Sequence, residues 1–325
     1  MDSNKRYNLS SRVRNKPRAY TAIGELIRLR YAIHELDSLT LPRSINPLSG
    51  LLTSNFRGRG TDFAEVRVYQ PGDDVRTIDW RVTARTEIPH TKMFQEEKER
   101  PVLILVDQSA SMFFGSKFAF KSVAAAEAAA LVAWTTLDRG DRVGGIVFSE
   151  TQHREVRPRR SKHSVLRLLN EIHDFNHRLS RETLEQGQES AEENYLAEAL
   201  RNVRRVAKHG SAIFIISDFR SFNEMARIHI RQLARHNDIV GILTTDPLEK
   251  ALPAPDLYTI TNGLSRARIN TADRRYRQQY EQSYDEYQTA LRSEFARIKS
   301  PLLELSTVEA IGNTLSNSFS EQAAR

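Results

Sequence analysis

The chain contains no cysteine. Disulfides, thiol nucleophiles and cysteine-ligated zinc or iron–sulfur centres are thereby excluded. It also lacks a long apolar run. The longest weakly polar stretch, Ser122 to Leu137, is mostly alanine and is interrupted by Glu127, too short and too weakly apolar to span a bilayer. The opening Met1-Asp-Ser-Asn-Lys-Arg-Tyr7 has none of the apolar core of a signal peptide, so no transmembrane segment and residence in the cytoplasm are expected. The nine histidines form no His-Glu-x-x-His zinc pattern. Gly58 and Gly60 resemble fragments of a phosphate loop, but no Gly-Lys-Ser/Thr follows them, which argues against nucleotide binding. No Gly-x-Ser-x-Gly elbow supports a serine hydrolase.

Present instead is a moderate excess of positive charge, +7 overall. Most of it sits at the start. Residues 1–18 carry Lys5, Arg6, Arg12, Arg14, Lys16 and Arg18 against Asp2 alone, and the remainder is close to neutral. That distribution predicts a basic, poorly ordered tail over 1–18 rather than a specific nucleic-acid surface. At 325 residues the rest can bury a sizeable core in one large domain or two.

Apolar residues at helical spacing predict a helix over Ala22 to Asp37. Mixed signals follow to Arg100, with strand patterns at Phe63–Tyr69 and Ile88–Phe94 around the turn Pro71-Gly-Asp-Asp74. From Val102 onward the pattern alternates regularly. Apolar strand-like runs appear at Val102–Val106, Arg142–Phe148, Ser211–Ile216, Asp238–Leu243 and Leu302–Leu305. Helical patterns lie between them at Lys117–Leu137, Ser161–Asn170, Leu196–Ala207, Met225–His236 and Arg275–Ile298, with a last one at Val308–Ser318. Strands alternating with helices predict an α/β fold, a mostly parallel sheet with helices on both faces. The division expected is a tail over 1–18, an N-terminal α+β region over 19–99 and the α/β domain over 100–325.

The most informative pattern follows the first apolar run. Asp107-Gln-Ser109-Ala-Ser111 presents a carboxylate and two hydroxyls at alternate positions, just past a strand end, where ligand sites of open α/β sheets lie. Hard oxygen donors suit a hard divalent cation. The Ser211–Ile216 run ends similarly, in Ser217-Asp218. If the two strands are neighbours, Asp218 joins the cluster, either on the ion or holding one of its waters. Simple capping of the next helix is the plainer alternative.

This arrangement resembles the metal-ion-dependent adhesion site of von Willebrand factor type A domains. The resemblance implies a Rossmann-like sheet and magnesium or manganese held by Asp107, Ser109, Ser111 and Asp218, with one coordination position completed by a partner's carboxylate. The family's threonine is missing. Its best counterpart is Asn194, in Glu193-Asn-Tyr-Leu196, with Thr183 a weaker candidate in the acidic stretch Glu182–Glu193. That departure puts metal-regulated switching in doubt.

Upstream residues narrow the resemblance. Gly58-Arg-Gly60-Thr-Asp-Phe63, Arg67-Val-Tyr69, Asp74-Val-Arg76-Thr-Ile-Asp79-Trp80, Ala84-Arg85, Glu99-Arg100, Phe114-Gly115 and Asp246-Pro-Leu-Glu249 match the signature of the domain of unknown function 58 family. Membership implies a non-enzymatic adaptor or co-chaperone working with a MoxR-type AAA+ ATPase and with other von Willebrand A proteins. A metal-dependent phosphoester hydrolase and an inert scaffold with a degenerate metal site remain open alternatives.

Other features have structural readings. Arg67, Arg76, Arg81 and Arg85 interleave with Glu65, Asp73, Asp74 and Asp79, predicting arginine–carboxylate pairs, with Trp80 packed among them. The basic run Arg154–Lys162 reads as a solvated loop. Tyr276, Tyr280, Tyr284 and Tyr287 fall at helical spacing and read as a core stripe.

Overall fold

The computed structural model describes residues 18–33, 62–71, 73–95, 101–179, 194–261 and 266–308. The chain divides into two compact units, residues 43–99 and a larger unit formed by 1–42 with 100–325.

The larger unit is built on six strands: β3 (Pro101–Asp107), β4 (Arg142–Phe148), β5 (His153–Arg159), β6 (Ala212–Ser217), β7 (Asp238–Thr245) and β10 (Leu302–Ser306). Their order is β10-β7-β6-β3-β4-β5. All pairings are parallel except that of the edge strand β5 with β4. The chain runs outward from β3 through β4 to β5, then returns to β6 on β3's other side. The sheet therefore switches direction between β3 and β6, the kind of crevice in which open α/β sheets bind ligands.

Side-chain alternation sorts the core onto two faces. Val102, Ile104 and Val106 pack on one side with α3 (Lys121–Asp138) and α4 (Lys162–Arg178). Leu103 and Leu105 pack on the other with α5 (Tyr195–Val206), α6 (Glu224–Ala234) and α8 (Arg274–Arg297). Helix α3 is buried along nearly its whole circumference, and its alanines let it lie close to the sheet beneath and the helices above. A helix with no solvent face must neutralise any charge it carries.

The N-terminal segment supplies part of that neutralisation. Helix α1 (Ile23–Arg28) packs against α3 and α4, and the Trp134 indole donates to the Leu26 carbonyl at 3.1 Å. Arg18 pairs with Glu25 and with buried Glu127. Two expectations are thereby corrected. Arg18 does not belong to a solvated tail, because Glu127 holds it, and residues 18–33 belong with the sheet rather than with the 19–99 region. The helix is also shorter than Ala22–Asp37. A 3₁₀ turn replaces it at Leu29–Tyr31, and residues 34–37 lie outside those described, as do 1–17, Glu182–Glu193 with Thr183, and the expected last helix from 309.

The Arg154–Lys162 run is not a solvated loop. Its first part forms β5, with only Val156 fully buried, as charged edge strands tolerate. A hairpin of β8 (Leu257–Thr261) and β9 (Arg266–Asn270) was not anticipated.

In the smaller unit β1 (Asp62–Val68) pairs antiparallel with β2 (His90–Gln95), and α2 (Trp80–Thr86) lies between them in sequence. Arg67 pairs with Asp73 at 2.6 Å. Asp74 and Asp79 instead accept backbone N–H groups at the starts of short helical turns, so the expected arginine–carboxylate network is only partly realised. Trp80 is 67% exposed, not packed; it is the first residue of α2, a short helix that buries none of its residues.

A close backbone approach lies beside the central strand. A Cβ on Gly145 would meet the Ile104 carbonyl oxygen at 2.3 Å. Gly145→Ala is expected to destabilise the protein by about 1–3 kcal/mol through overpacking, read as a lowered urea midpoint with an unchanged slope.

Candidate metal centre

Asp107 ends β3, and Ser217 and Asp218 end β6 beside it, Val106 lying opposite Ile216. The neighbouring strands required by the sequence argument are therefore present. Asp107 and Asp218 are buried, Ser109 is fully buried, and Ser111 is half-exposed at the mouth. Backbone turns shape both loops. The Ser109 N–H donates to Asp107 Oδ1 at 2.9 Å, and the Ser217 hydroxyl donates to Asp107 Oδ2 at 2.6 Å. The Ser109 and Ser111 hydroxyls lie 3.2 Å apart. Phe219, directly after Asp218, is held at φ 56°, a left-handed conformation that a bulky side chain avoids unless its surroundings enforce it. Its N–H donates to Ser217 Oγ, and its buried ring packs edge-on against Phe222 and Phe295.

The first loop is tied down from behind. Gln108 donates to the Ser122 carbonyl at 3.0 Å and accepts from Asn176 at 3.1 Å, and Asn176 in turn accepts the Thr21 N–H at 2.7 Å. Glu150, at the end of the β4 loop, accepts the Ala110 N–H.

One group essential to the site went unread in the sequence. Lys121, the first residue of α3, is fully buried. Its ammonium donates at 2.7 Å to Asp218 Oδ2 and at 2.7 Å to Glu249 Oε1. Glu249 also accepts from Arg220 at 2.9 Å, and its other oxygen closes a capping box with Asp246 at the start of α7 (Pro247–Lys250). Asp246 Oδ2 accepts from the Ser116 N–H and the Thr307 hydroxyl. Loops after β3, β6, β7 and β10 are thus knotted at one edge of the sheet. Two signals were available. A lysine in the first turn opposes the helix dipole, and a helix with no polar face must pair any charge it buries.

The electrostatics divide the two aspartates. Burial opposes ionisation of Asp218, but the Lys121 ammonium and hydrogen bonds outweigh it and hold the carboxyl below its ordinary value. Burial and then the Asp218 charge push Asp107 up to about 7, against the pull of Ser109 and Ser217. Burial, followed by the Asp107 charge, pushes the Tyr195 phenol to about 12. A site in which one carboxylate resists ionisation for want of a counter-charge is chemically suited to a divalent cation.

Asp107, Ser109 and Ser111 form a hard oxygen set open at Ser111, consistent with magnesium or manganese. Asp218 stands beside them, but unlike Asp107 it is already charge-paired with the Lys121 ammonium through Oδ2, while Oδ1 accepts the Arg220 N–H; its role would be to orient a water or supply charge. Asn194 does not take the place of the missing threonine oxygen. Its Oδ1 accepts the Asn223 amide at 2.6 Å. Among the described residues no group of three or more His, Asp or Glu side chains is placed to hold a metal, so a candidate ion depends on the hydroxyls.

A family model described as protein of unknown function DUF58 matches residues 65–290. The chain belongs to this family. Two relatives of the DUF58 chain are uncharacterized protein Rv1480 of Mycobacterium tuberculosis and uncharacterized protein Mb1516 of Mycobacterium bovis, each 31% identical over 199 residues. The match covers 60% of this chain and spans only 58% of the length of either relative. The crystal structure of conserved hypothetical protein BatB from Bacteroides thetaiotaomicron aligns with 70% of this chain and all of its own at a TM-score of 0.39 and 15% identity, a likeness too slight to argue from.

Two outcomes are expected. Because the folded-state pKa of Asp107 lies above its ordinary 3.8, its contribution to stability is full below that value and is lost as pH rises through about 7. In chelator, the midpoint of unfolding should fall across this window; Asp107→Asn should flatten the fall, and millimolar magnesium should oppose it. Lys121→Met should destabilise by about 3–5 kcal/mol, the usual cost of orphaning buried charges, and adding Asp218→Asn should recover part of the loss in denaturant titrations.

Proposed function

We propose that this DUF58 protein is a von Willebrand A-like, metal-dependent protein-binding module serving a MoxR-type AAA+ ATPase in the assembly or maturation of protein complexes. The observation that carries the reading is the convergence of Asp107, Ser109, Ser111 and Asp218 at the switch point between β3 and β6. The fold order supports it, with a parallel sheet whose edge strand alone is antiparallel. No described helix is long and apolar enough to cross a membrane.

In this reading Asp107, Ser109 and Ser111 hold magnesium or manganese, and the bound ion supplies a positive, open position for an Asp or Glu of the partner. The chain's own groups do the remaining work. Lys121 neutralises Asp218, so the loaded site keeps a net positive character toward an incoming carboxylate. Gln108 and Glu150 hold the first loop in place before binding, which lowers the ordering cost of association.

A metal-dependent hydrolase is a second reading, favoured by one observation: the oxygen set of Asp107, Ser109 and Ser111 is open at Ser111, where a bound ion would act as a Lewis acid toward a phosphoester. The two separate in one experiment. Wild type and Asp107→Ala are compared in pull-downs from native lysate with magnesium and with chelator, alongside turnover of a generic phosphate ester. Recovery of an AAA+ ATPase by wild type with magnesium alone, from a variant that remains folded, is the expected result. Equal recovery under every condition would defeat the metal contact, and ester turnover lost in Asp107→Ala would favour the hydrolase.

A further inference from the structure

The tyrosines of α8 do not form a core stripe. Tyr276 is 40% exposed, while Tyr280, Tyr284 and Tyr287 line a cavity of ≈490 Å³ together with Asp218, Arg220, Thr244, Thr245, Glu249 and Ser283. That volume is in the range of small-ligand sites, which run from about 300 to 1,000 Å³. The cavity borders the Asp218 side of the metal centre but shares neither Ser109 nor Ser111 with it.

The hydrogen bonds around the cavity leave it rich in acceptors. The Tyr280 hydroxyl donates to the Leu248 carbonyl, the Tyr287 hydroxyl to the Asp218 carbonyl and the Ser283 hydroxyl to the Gln279 carbonyl. Each of these three protons is committed within the protein, so these oxygens can only accept further bonds, whereas the Tyr284 oxygen already accepts from the Gln288 amide at 2.7 Å and contributes its ring. The Thr244 hydroxyl is buried and has no hydrogen-bond partner among the described residues, a state that is costly unless something satisfies it. The lining carries one cation, Arg220, paired with Glu249, and Lys121 behind the wall pairs with Asp218 and Glu249, so no cation projects uncompensated into the cavity.

We infer that this cavity is a binding site for an organic cation, an alkylammonium or guanidinium group on an apolar stem. The aromatic walls accommodate the stem and attract the charge, while the hydroxyl oxygens of Tyr280, Tyr287 and Ser283 accept its N–H groups. Two sources share that chemistry: a lysine or arginine side chain of a bound polypeptide, and a free polyamine. The site does not require the ion and goes beyond the metal-dependent reading, which can fail without it.

The test is a titration of ¹⁵N-labelled full-length protein in chelator and in magnesium. The probes are Nα-acetyl-lysine amide within a tripeptide, agmatine, and acetate as the anionic control. Saturable shifts at the Thr244, Thr245 and Arg220 amides with either cation, present in chelator as well, are the expected result. A tighter peptide assigns the site to a polypeptide, and a tighter agmatine to a free polyamine. Tyr284→Leu should weaken the cation by about tenfold, in line with a partly desolvated cation–aromatic contact, and Thr244→Val should weaken it as well. Tyr284→Phe, which keeps the ring, should retain most of the affinity and shows that the fold is intact. Shifts with acetate but with neither cation, or no shifts at these amides in protein that remains folded, would overturn the inference.

Discussion

A buried ammonium holds the functional edge of this protein together. Lys121 lies between Asp218 and Glu249 with no exposure to solvent, and buried charge at this depth is tolerable only with both partners in place. Through Glu249 the interaction reaches the capping box at Asp246, and through Asp246 it reaches Ser116 and Thr307. Four loops that would otherwise move independently share one set of charges. The position of Asp218 beside Asp107 follows from this arrangement, as does the floor of the tyrosine cavity.

The same helix shows why such pairing is needed. Alanine allows α3 to be covered along nearly its whole length, which leaves its two buried charges, Lys121 and Glu127, no route to water. Each is met by a group from a distant stretch of chain, Asp218 and Glu249 for the first and Arg18 for the second. A core built from small side chains thus gains close packing, and its few charges specify which segments must meet it.

Much of this was legible in the sequence where burial is continuous. The runs ending at Asp107 and Asp218 are apolar because both sheet faces are covered, so the strands and the two carboxylates could be read together. Lys121 was not legible as a site residue, because nothing local distinguishes a buried lysine from a solvated one at a helix start. Asn194 entered only through the resemblance, as the counterpart of the family's threonine, and only the fold shows its oxygen turned to Asn223. Trp80 was read as packed on residue type alone. The β8–β9 hairpin was overlooked although Asn262-Gly263 is a common hairpin dipeptide, since five-residue strands with exposed arginines carry little apolar signal.

The hydrogen bond from the Thr21 N–H to Asn176 has a bearing on biosynthesis. The two residues are 155 positions apart, and a whole compact unit, residues 43–99, lies between them in the chain. At about 5–20 residues per second on the ribosome, the N-terminal helix must wait on the order of ten to thirty seconds for its docking surface to be synthesised. During that interval its apolar residues Leu26 and Leu29 lack the complete surface formed by α3 and α4, so a nascent chain of this protein presents a binding opportunity to chaperones that the finished molecule does not.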